Sequence, residues 1–300
     1  MCDDVHAPLV QMSSSSPNNQ QLSVAVVTGS SSGIGLAASL ALAKNGYLTY
    51  ATMRNLAKQD SIQSVADKQH LPIRTVQLDV TDENSVKNAI QSIISESGRI
   101  DLLVNNAGYG LTGAFEDIRM DEIKSLYETN VFGVIRVMQA VLPIMRKQGS
   151  GRIINISSGA GRIGYPGGSA YVSSKFALEG LTESMAFEVE QFGIKTVLVE
   201  PGFIRTNFAE NIVTAKKAQD PNSPYSQMMM QMKSSSHRRR MIENAPDADL
   251  VASVIVEAAT AEEPNLRYLA GKDVEQMVAA KKSMSDEEFQ NMIRQGVRDA

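Results

Sequence analysis

The sequence predicts an α/β fold of three layers, a doubly wound parallel sheet with helices on both faces. Three observations carry that prediction. Short apolar runs rich in β-branched residues alternate with helical stretches across residues 22–269. A glycine-rich turn follows the first of these runs. Strands that alternate with helices require right-handed crossovers, and crossovers give a parallel sheet covered on both sides.

The elements follow in order. Residues 24–28 form an apolar run suited to a strand buried on both faces. A helix is expected over 34–45, stopped by Gly46 at its C-terminal cap. Residues 47–53 read as a strand, 61–69 as a helix, 73–78 as a strand and 82–96 as a helix with an acidic first turn. A strand is expected at 101–104 and a long helical region at 120–147. Then come a strand at 152–156, a helix at 169–191, a strand at 195–199, a helix at 249–259 and a last short strand at 267–269. This is the Rossmann arrangement. A single domain over 22–282 accounts for the alternation, with no repeat and no second domain. Residues 1–21 hold a serine run and then Pro17, Asn and Gln, with little to bury, and are expected to be a disordered tail. Residues 203–246 separate a strand from a helix by far more than a usual connection, the mark of a lid or binding loop. From residue 283 the chain is polar and charged, a C-terminal tail that is loose or folded as a short helix.

Composition excludes several classes. Of 300 residues 43% are hydrophobic, enough for a sizeable core, and 29 basic residues face 33 acidic ones for a net charge of −4. That balance is not the basic footprint of a nucleic-acid binder. The one compact basic run, 237–240, reads as a solvated loop or helix end. Cys2 is the only cysteine, so an intrachain disulfide is excluded. No apolar run reaches the ~18 residues of a membrane-spanning helix, and the acidic start is unlike a signal peptide. The expectation is a soluble, cytoplasmic protein without an integral membrane segment. His6, His70 and His237 are scattered, so no metal is expected.

The glycine turn is Thr28, Gly29, Ser30, Ser31, Ser32, Gly33, Ile34 and Gly35. Glycine lets the backbone turn sharply and approach a pyrophosphate, and the following helix presents unpaired N–H groups to that anion. Between a buried strand and a helix, the turn points to a dinucleotide. An acidic residue at the end of the second strand would hold the ribose 2′-hydroxyl of NAD. Residues 51–55 contain no Asp or Glu but do contain Arg54, whose guanidinium suits a 2′-phosphate. NADP(H) is therefore the expected preference, with NAD(H) possible.

Tyr171 and Lys175 are four apart on an expected helix, hence on one face. A phenol has an unperturbed pKa of about 10, and a nearby ammonium favours its ionised form. Ser158 precedes Tyr171 and follows the 152–156 strand. Asn105, Asn106, Ala107 and Gly108 follow another strand, and Pro201 with Gly202 a third. All these loops leave the carboxyl edge of the sheet, where α/β folds bind ligands.

Together these pieces resemble the short-chain dehydrogenase/reductase family. The matching residues are 28–35, Leu78-Asp79-Val80, 105–108, Asn130 within 129–133, Ser158, Tyr171, Lys175 and Pro201-Gly202, in order across 22–208. Residues 51–54, 149–152 and 174–180 look most like the 17β-hydroxysteroid and retinol dehydrogenase branch. The resemblance implies reversible hydride transfer between a nicotinamide cofactor and a carbonyl/alcohol pair. It implies that Tyr171 exchanges the proton with the substrate oxygen. Lys175 would lower the Tyr171 pKa and hold the nicotinamide ribose. Ser158 would bond the carbonyl oxygen, and Asn130 would hold a water in a proton relay to Lys175. Gly29, Ser30, Ser32, Gly33, Ile34, Gly35 and Arg54 would bind the cofactor. Asp79 would contact adenine, and Asn106, Ala107 and Gly108 would border the adenosine ribose. Pro201, Gly202, Ile204 and Thr206 would surround the nicotinamide. Family members pack as homodimers or homotetramers through helices matching 120–147 and 169–191. Met228, Met229, Met230 and Met232 in the long excursion suit an adaptable apolar pocket, hence a steroid-, retinoid- or fatty-type substrate. The alternative is a non-catalytic dinucleotide-binding sensor, for which a proton relay would have no use. Sugar-nucleotide epimerisation would need a second lobe that this chain lacks.

Overall fold

The chain follows the predicted alternation through β1 (Ser23–Val27), α1 (Gly33–Lys44), β2 (Tyr47–Met53), α2 (Asp60–Gln69), β3 (Ile73–Gln77), α3 (Glu83–Ser97) and β4 (Leu102–Asn105). It continues through β5 (Leu111–Thr112), α4 (Met120–Tyr127), α5 (Val134–Gln148), β6 (Gly151–Ile156), α6 (Ser169–Val189), β7 (Ile194–Pro201) and β8 (Val213–Thr214). It ends with α7 (Ser226–Ser234), α8 (Ser236–Glu243), α9 (Ala248–Thr260), β9 (Arg267–Ala270), α10 (Lys272–Ser283) and α11 (Asp286–Arg298). This computed structural model describes residues 22–208, 211–234 and 236–298, and the tail expected over 1–21 lies outside them.

Seven strands form one sheet in the order β3-β2-β1-β4-β6-β7-β9, every pair parallel. The chain winds outward from β1 to β3, then returns to lay β4 against the other side of β1. That reversal opens a crevice at the carboxyl ends of β1 and β4. Along β1 the side chains alternate between two cores. Val24 and Val26 pack with α3, α5 and α6, whereas Ala25 and Val27 pack with α1 and α9. Both faces are buried, so the strand reads as continuously apolar rather than alternating.

Three features sharpen the sequence reading. The helical region 120–147 is broken, because α4 and α5 are joined by a π-helical segment, Glu128–Gly133. Such bulges are frequent at functional sites. The excursion 203–246 is partly ordered structure: β8 pairs with β5, and α7 and α8 follow. Its stems meet where the Arg205 N–H donates to the Pro246 carbonyl at 2.8 Å and the Arg205 guanidinium grips Asp247 with two bonds of 2.8 Å. The segment from 283, a loose tail or a short helix by sequence, is a helix, α11, which packs on α10 and α7 and buries Phe289. No helix among the described residues is long and apolar enough to cross a membrane.

Candidate active site

The glycine turn is held in place from β4. Gly29 and Gly33 have positive φ of 70° and 58°, a conformation other residues rarely adopt. The Thr28 hydroxyl accepts the N–H groups of Asn106 and Ala107, both at 3.0 Å. In return Asn106 Nδ2 donates to the carbonyls of Thr28 and Gly29, at 2.9 and 3.2 Å. A Cβ on Gly35 would stand 2.4 Å from the Gly29 carbonyl oxygen, so only glycine lets α1 start this close. Ser32, at the N-cap of α1, makes no side-chain cap, and the first turn holds no acidic residue. The leading N–H groups of α1 are thus left for an anion. The turn fits a dinucleotide pyrophosphate on these grounds.

One expected cofactor contact is revised. Ser30 is fully buried; its hydroxyl donates to the Val27 carbonyl at 2.9 Å and accepts from Ser39 at 3.0 Å, while its N–H donates to Thr52. It has turned into the core, and its neighbours Ser31 and Ser32 line the polar hollow beside the turn with Lys58, Ser61 and Asn207. The Asn106 side chain is committed to the turn through its bonds to Thr28 and Gly29. Gly108 packs on Asn130, with a Cβ position 3.1 Å from Asn130 Oδ1. Asp79 is half-buried, and its Oδ1 accepts both the N–H and hydroxyl of Thr81. Arg54 is exposed at the end of β2, with no side-chain bond among the described residues.

Across the crevice, β7 ends at Pro201. A carboxylate that sequence reasoning missed shapes the next turn: Asp273 of α10 accepts the Phe203 N–H at 2.7 Å. The chain then returns to the glycine turn, with Ile204 against the α1–α9 core and Thr206 Cβ 3.4 Å from a Cβ position on Gly33.

Ser158, Tyr171 and Lys175 come together at the carboxyl end of β6. Burial pushes the Tyr171 phenol above its ordinary range and Tyr165 raises it further, while the neighbouring Ser158 hydroxyl draws it down. Lys175 Nζ lies 5.8 Å from the Tyr171 ring centre and donates to the Ile156 carbonyl at 2.8 Å. Burial pulls the Lys175 ammonium down to about 8. Asn130 lies within the π-helical segment. Its Oδ1 accepts the Tyr109 N–H at 3.1 Å and its Nδ2 donates to the Tyr109 carbonyl at 2.9 Å. The side-chain amide thereby ties the segment to the 106–110 loop. Its Nδ2 also reaches the Ser174 hydroxyl at 3.4 Å, next to Lys175.

The excursion covers this group. The Phe208 ring centre is 6.0 Å from that of Tyr171. Gly110 lets Ile212 and Phe208 approach, and Gly167 borders Met229 and Met232.

The model of the short chain dehydrogenase family matches residues 23–217. The chain belongs to this family. It is an oxidoreductase that acts on CH–OH groups with a nicotinamide dinucleotide. Among relatives of this short-chain dehydrogenase, human 17-beta-hydroxysteroid dehydrogenase type 1 is 36% identical over 252 residues, 82% of this chain and 76% of that one. Human retinol dehydrogenase 8 is 41% identical over 187 residues, 61% of this chain and 59% of that one. A solved short-chain dehydrogenase from Streptomyces avermitilis has 33% identity and a TM-score of 0.77, covering 90% of this chain and 95% of its own.

Proposed function

We propose that this short-chain dehydrogenase interconverts an apolar ketone or aldehyde and its alcohol, with NADP(H) preferred and Tyr171 as the acid/base. The observation that carries the reading is the Ser158–Tyr171 hydroxyl pair with Lys175 one helical turn behind it. In the reducing direction the substrate oxygen sits between the two hydroxyls. Ser158 donates a hydrogen bond that strengthens as negative charge grows on that oxygen. Tyr171, kept protonated by burial, delivers the proton. In the oxidising direction Tyr171, as the phenolate that the Lys175 cation favours, accepts the proton from the alcohol and becomes the neutral phenol. The nicotinamide, when bound, supplies or takes the hydride. Gly29, Ser32, Gly33, Ile34, Gly35, Ala107 and Gly108 would hold its dinucleotide, together with Asp79 at adenine and Pro201, Gly202, Ile204 and Thr206 at the nicotinamide.

NADP(H) preference rests on Arg54, exposed beyond β2, and on Lys58 in the adjoining polar hollow, which Asp60 also lines. Apolar substrate preference rests on Phe208, Ile212, Met229 and Met232 around the mouth, and the names of the steroid and retinol relatives agree with it. Phe176 and Phe187 of α6 and Phe132, all exposed, favour a homodimer or homotetramer built on this face. The test is Tyr171→Phe: turnover of apolar ketones should fall roughly 10²–10⁴-fold while cofactor affinity stays within threefold of wild type, about the range general acid catalysis contributes. A variant that keeps a tenth of wild-type turnover refutes the assignment.

A further inference from the structure

One turn beyond Lys175, α6 carries a second ionisable residue inside the protein. Glu179 is 5% exposed. Its Oε2 accepts Arg267 Nε at 3.0 Å, and its Oε1 is buried with no hydrogen-bond partner. The free oxygen faces the end of β6: a Cβ on Gly161 would lie 3.2 Å from Glu179 Oε1 and 2.7 Å from Ser157 Oγ. Ser157 follows Ile156, whose carbonyl receives the Lys175 ammonium. Glu179 and Lys175 therefore converge on the same strand end, from neighbouring turns of one helix.

The remaining charges around Glu179 come from every element packed there. Arg267 of β9 also bonds Glu183 of α6 at 2.5 Å and stands 3.4 Å from Glu200 of β7. Glu200 is fully buried and accepts Arg162, from the loop that follows Ser158, at 3.0 Å. Lys175, Arg162 and Arg267 thus oppose Glu179, Glu183 and Glu200. Buried ion pairs rarely stabilise a fold more than apolar residues of similar size. A carboxylate oxygen left unpaired is costlier still. Its gain is the field it places on the nearby cation.

We propose that Glu179 is a positioning residue for Lys175, the buried counter-charge that keeps its ammonium ionised and directed at the end of β6. This rests on the Tyr171–Lys175 reading above. Burial alone drives Lys175 towards its neutral form, and Glu179 acts in the opposite sense. Removing the Glu179 charge therefore lowers the pH at which Lys175 loses its proton.

The experiment is the pH profile of kcat/KM for Glu179→Gln, with the fold checked by circular dichroism. Glutamine keeps the shape and an oxygen for Arg267. The limb on which activity falls at high pH should move down by about one unit, the size expected from losing one nearby opposite charge. Activity at pH 6 should stay within about threefold of wild type. Glu183→Gln, which touches the same arginine but is half exposed, should leave the limb in place, and Glu179→Asp should restore it. A loss equal at every pH, or an unmoved limb, overturns the proposal. If Glu179→Gln does not fold, Arg267→Gln is read instead; freeing Glu179 from its partner should move the limb up, and no movement overturns the proposal. A wild-type profile with no high-pH limb, or an active Tyr171→Phe, refutes the Tyr171–Lys175 reading itself and is distinct from these outcomes.

Discussion

Gly202 and Asp273 make a sharp test of how the turn after β7 is shaped. A Cβ added to Gly202 would lie 2.2 Å from Asp273 Oδ1 and 2.4 Å from Oδ2, against an ordinary contact of 3.4–4 Å. The carboxylate must therefore withdraw in Gly202→Ala, and it takes with it the 2.7 Å bond to the Phe203 N–H. A hydrogen bond to a charged group contributes about 1.5–3 kcal/mol, and forced overpacking costs about 1–3 kcal/mol. Gly202→Ala should then cost about 2.5–6 kcal/mol. Asp273→Ala loses only the hydrogen bond, about 1.5–3 kcal/mol, and nearer the lower figure because Phe203 is partly exposed and water can replace the acceptor. The double variant has no carboxylate left to collide with, so it should be no less stable than Asp273→Ala. The two changes must then couple by the whole Gly202→Ala cost, about 2.5–6 kcal/mol, well beyond the ~0.5 kcal/mol scatter of independent sites. The chain has no tryptophan, so urea unfolding is best followed by far-ultraviolet circular dichroism, with the KM for cofactor measured alongside. Simple additivity of the two single costs would show that Asp273 does not set the turn.

Two further outcomes test the proposed chemistry at its ends. A guanidinium–phosphate contact at Arg54 is worth about 1.5–3 kcal/mol, so wild-type kcat/KM should favour NADP(H) about ten- to a hundredfold, and Arg54→Asp should reverse the order; an unchanged ratio would mean that Arg54 does not meet the 2′-phosphate. Phe208→Ala removes the ring that meets Tyr171 at a tilt, a contact of about 0.5–1.5 kcal/mol, and should raise relative kcat/KM for bulkier ketones by up to about tenfold; an unaltered substrate ranking would place Phe208 outside the substrate mouth.

What was legible in the sequence follows from what local pattern encodes. A strand such as β1 declares itself because burial on both faces leaves an unbroken apolar run. The glycine turn and the Tyr171–Lys175 spacing are local, so their geometry survives reading in one dimension. The inward turn of Ser30 was hidden, because a serine beside three glycines looks the same whether it faces a phosphate or Ser39. The π-helical segment was hidden too, since one extra residue in a turn barely disturbs helical periodicity. Asp273 and Glu179 were missed for a different reason. Each acts on a partner brought near only by the fold, and α10, mostly polar, resembles an ordinary surface helix. The docking of α11 rests largely on Phe289, too little to stand out in a charged segment.

The closed stem at Arg205 and Asp247 bears on how enzymes of this build diversify. The segment between those two residues starts and ends at one point of the body and touches it again where β8 pairs with β5. The free energy of closing such a loop grows only logarithmically, by about 0.6 kcal/mol for each doubling of its length. Residues can be gained, lost or exchanged between the two stems at little cost to the sheet. The proton-handling side chains stay on β6 and α6, outside the exchangeable stretch, whereas Phe208, Ile212, Met229 and Met232 lie inside it. Substrate range can therefore drift by swapping one cassette, with the chemistry inherited unchanged.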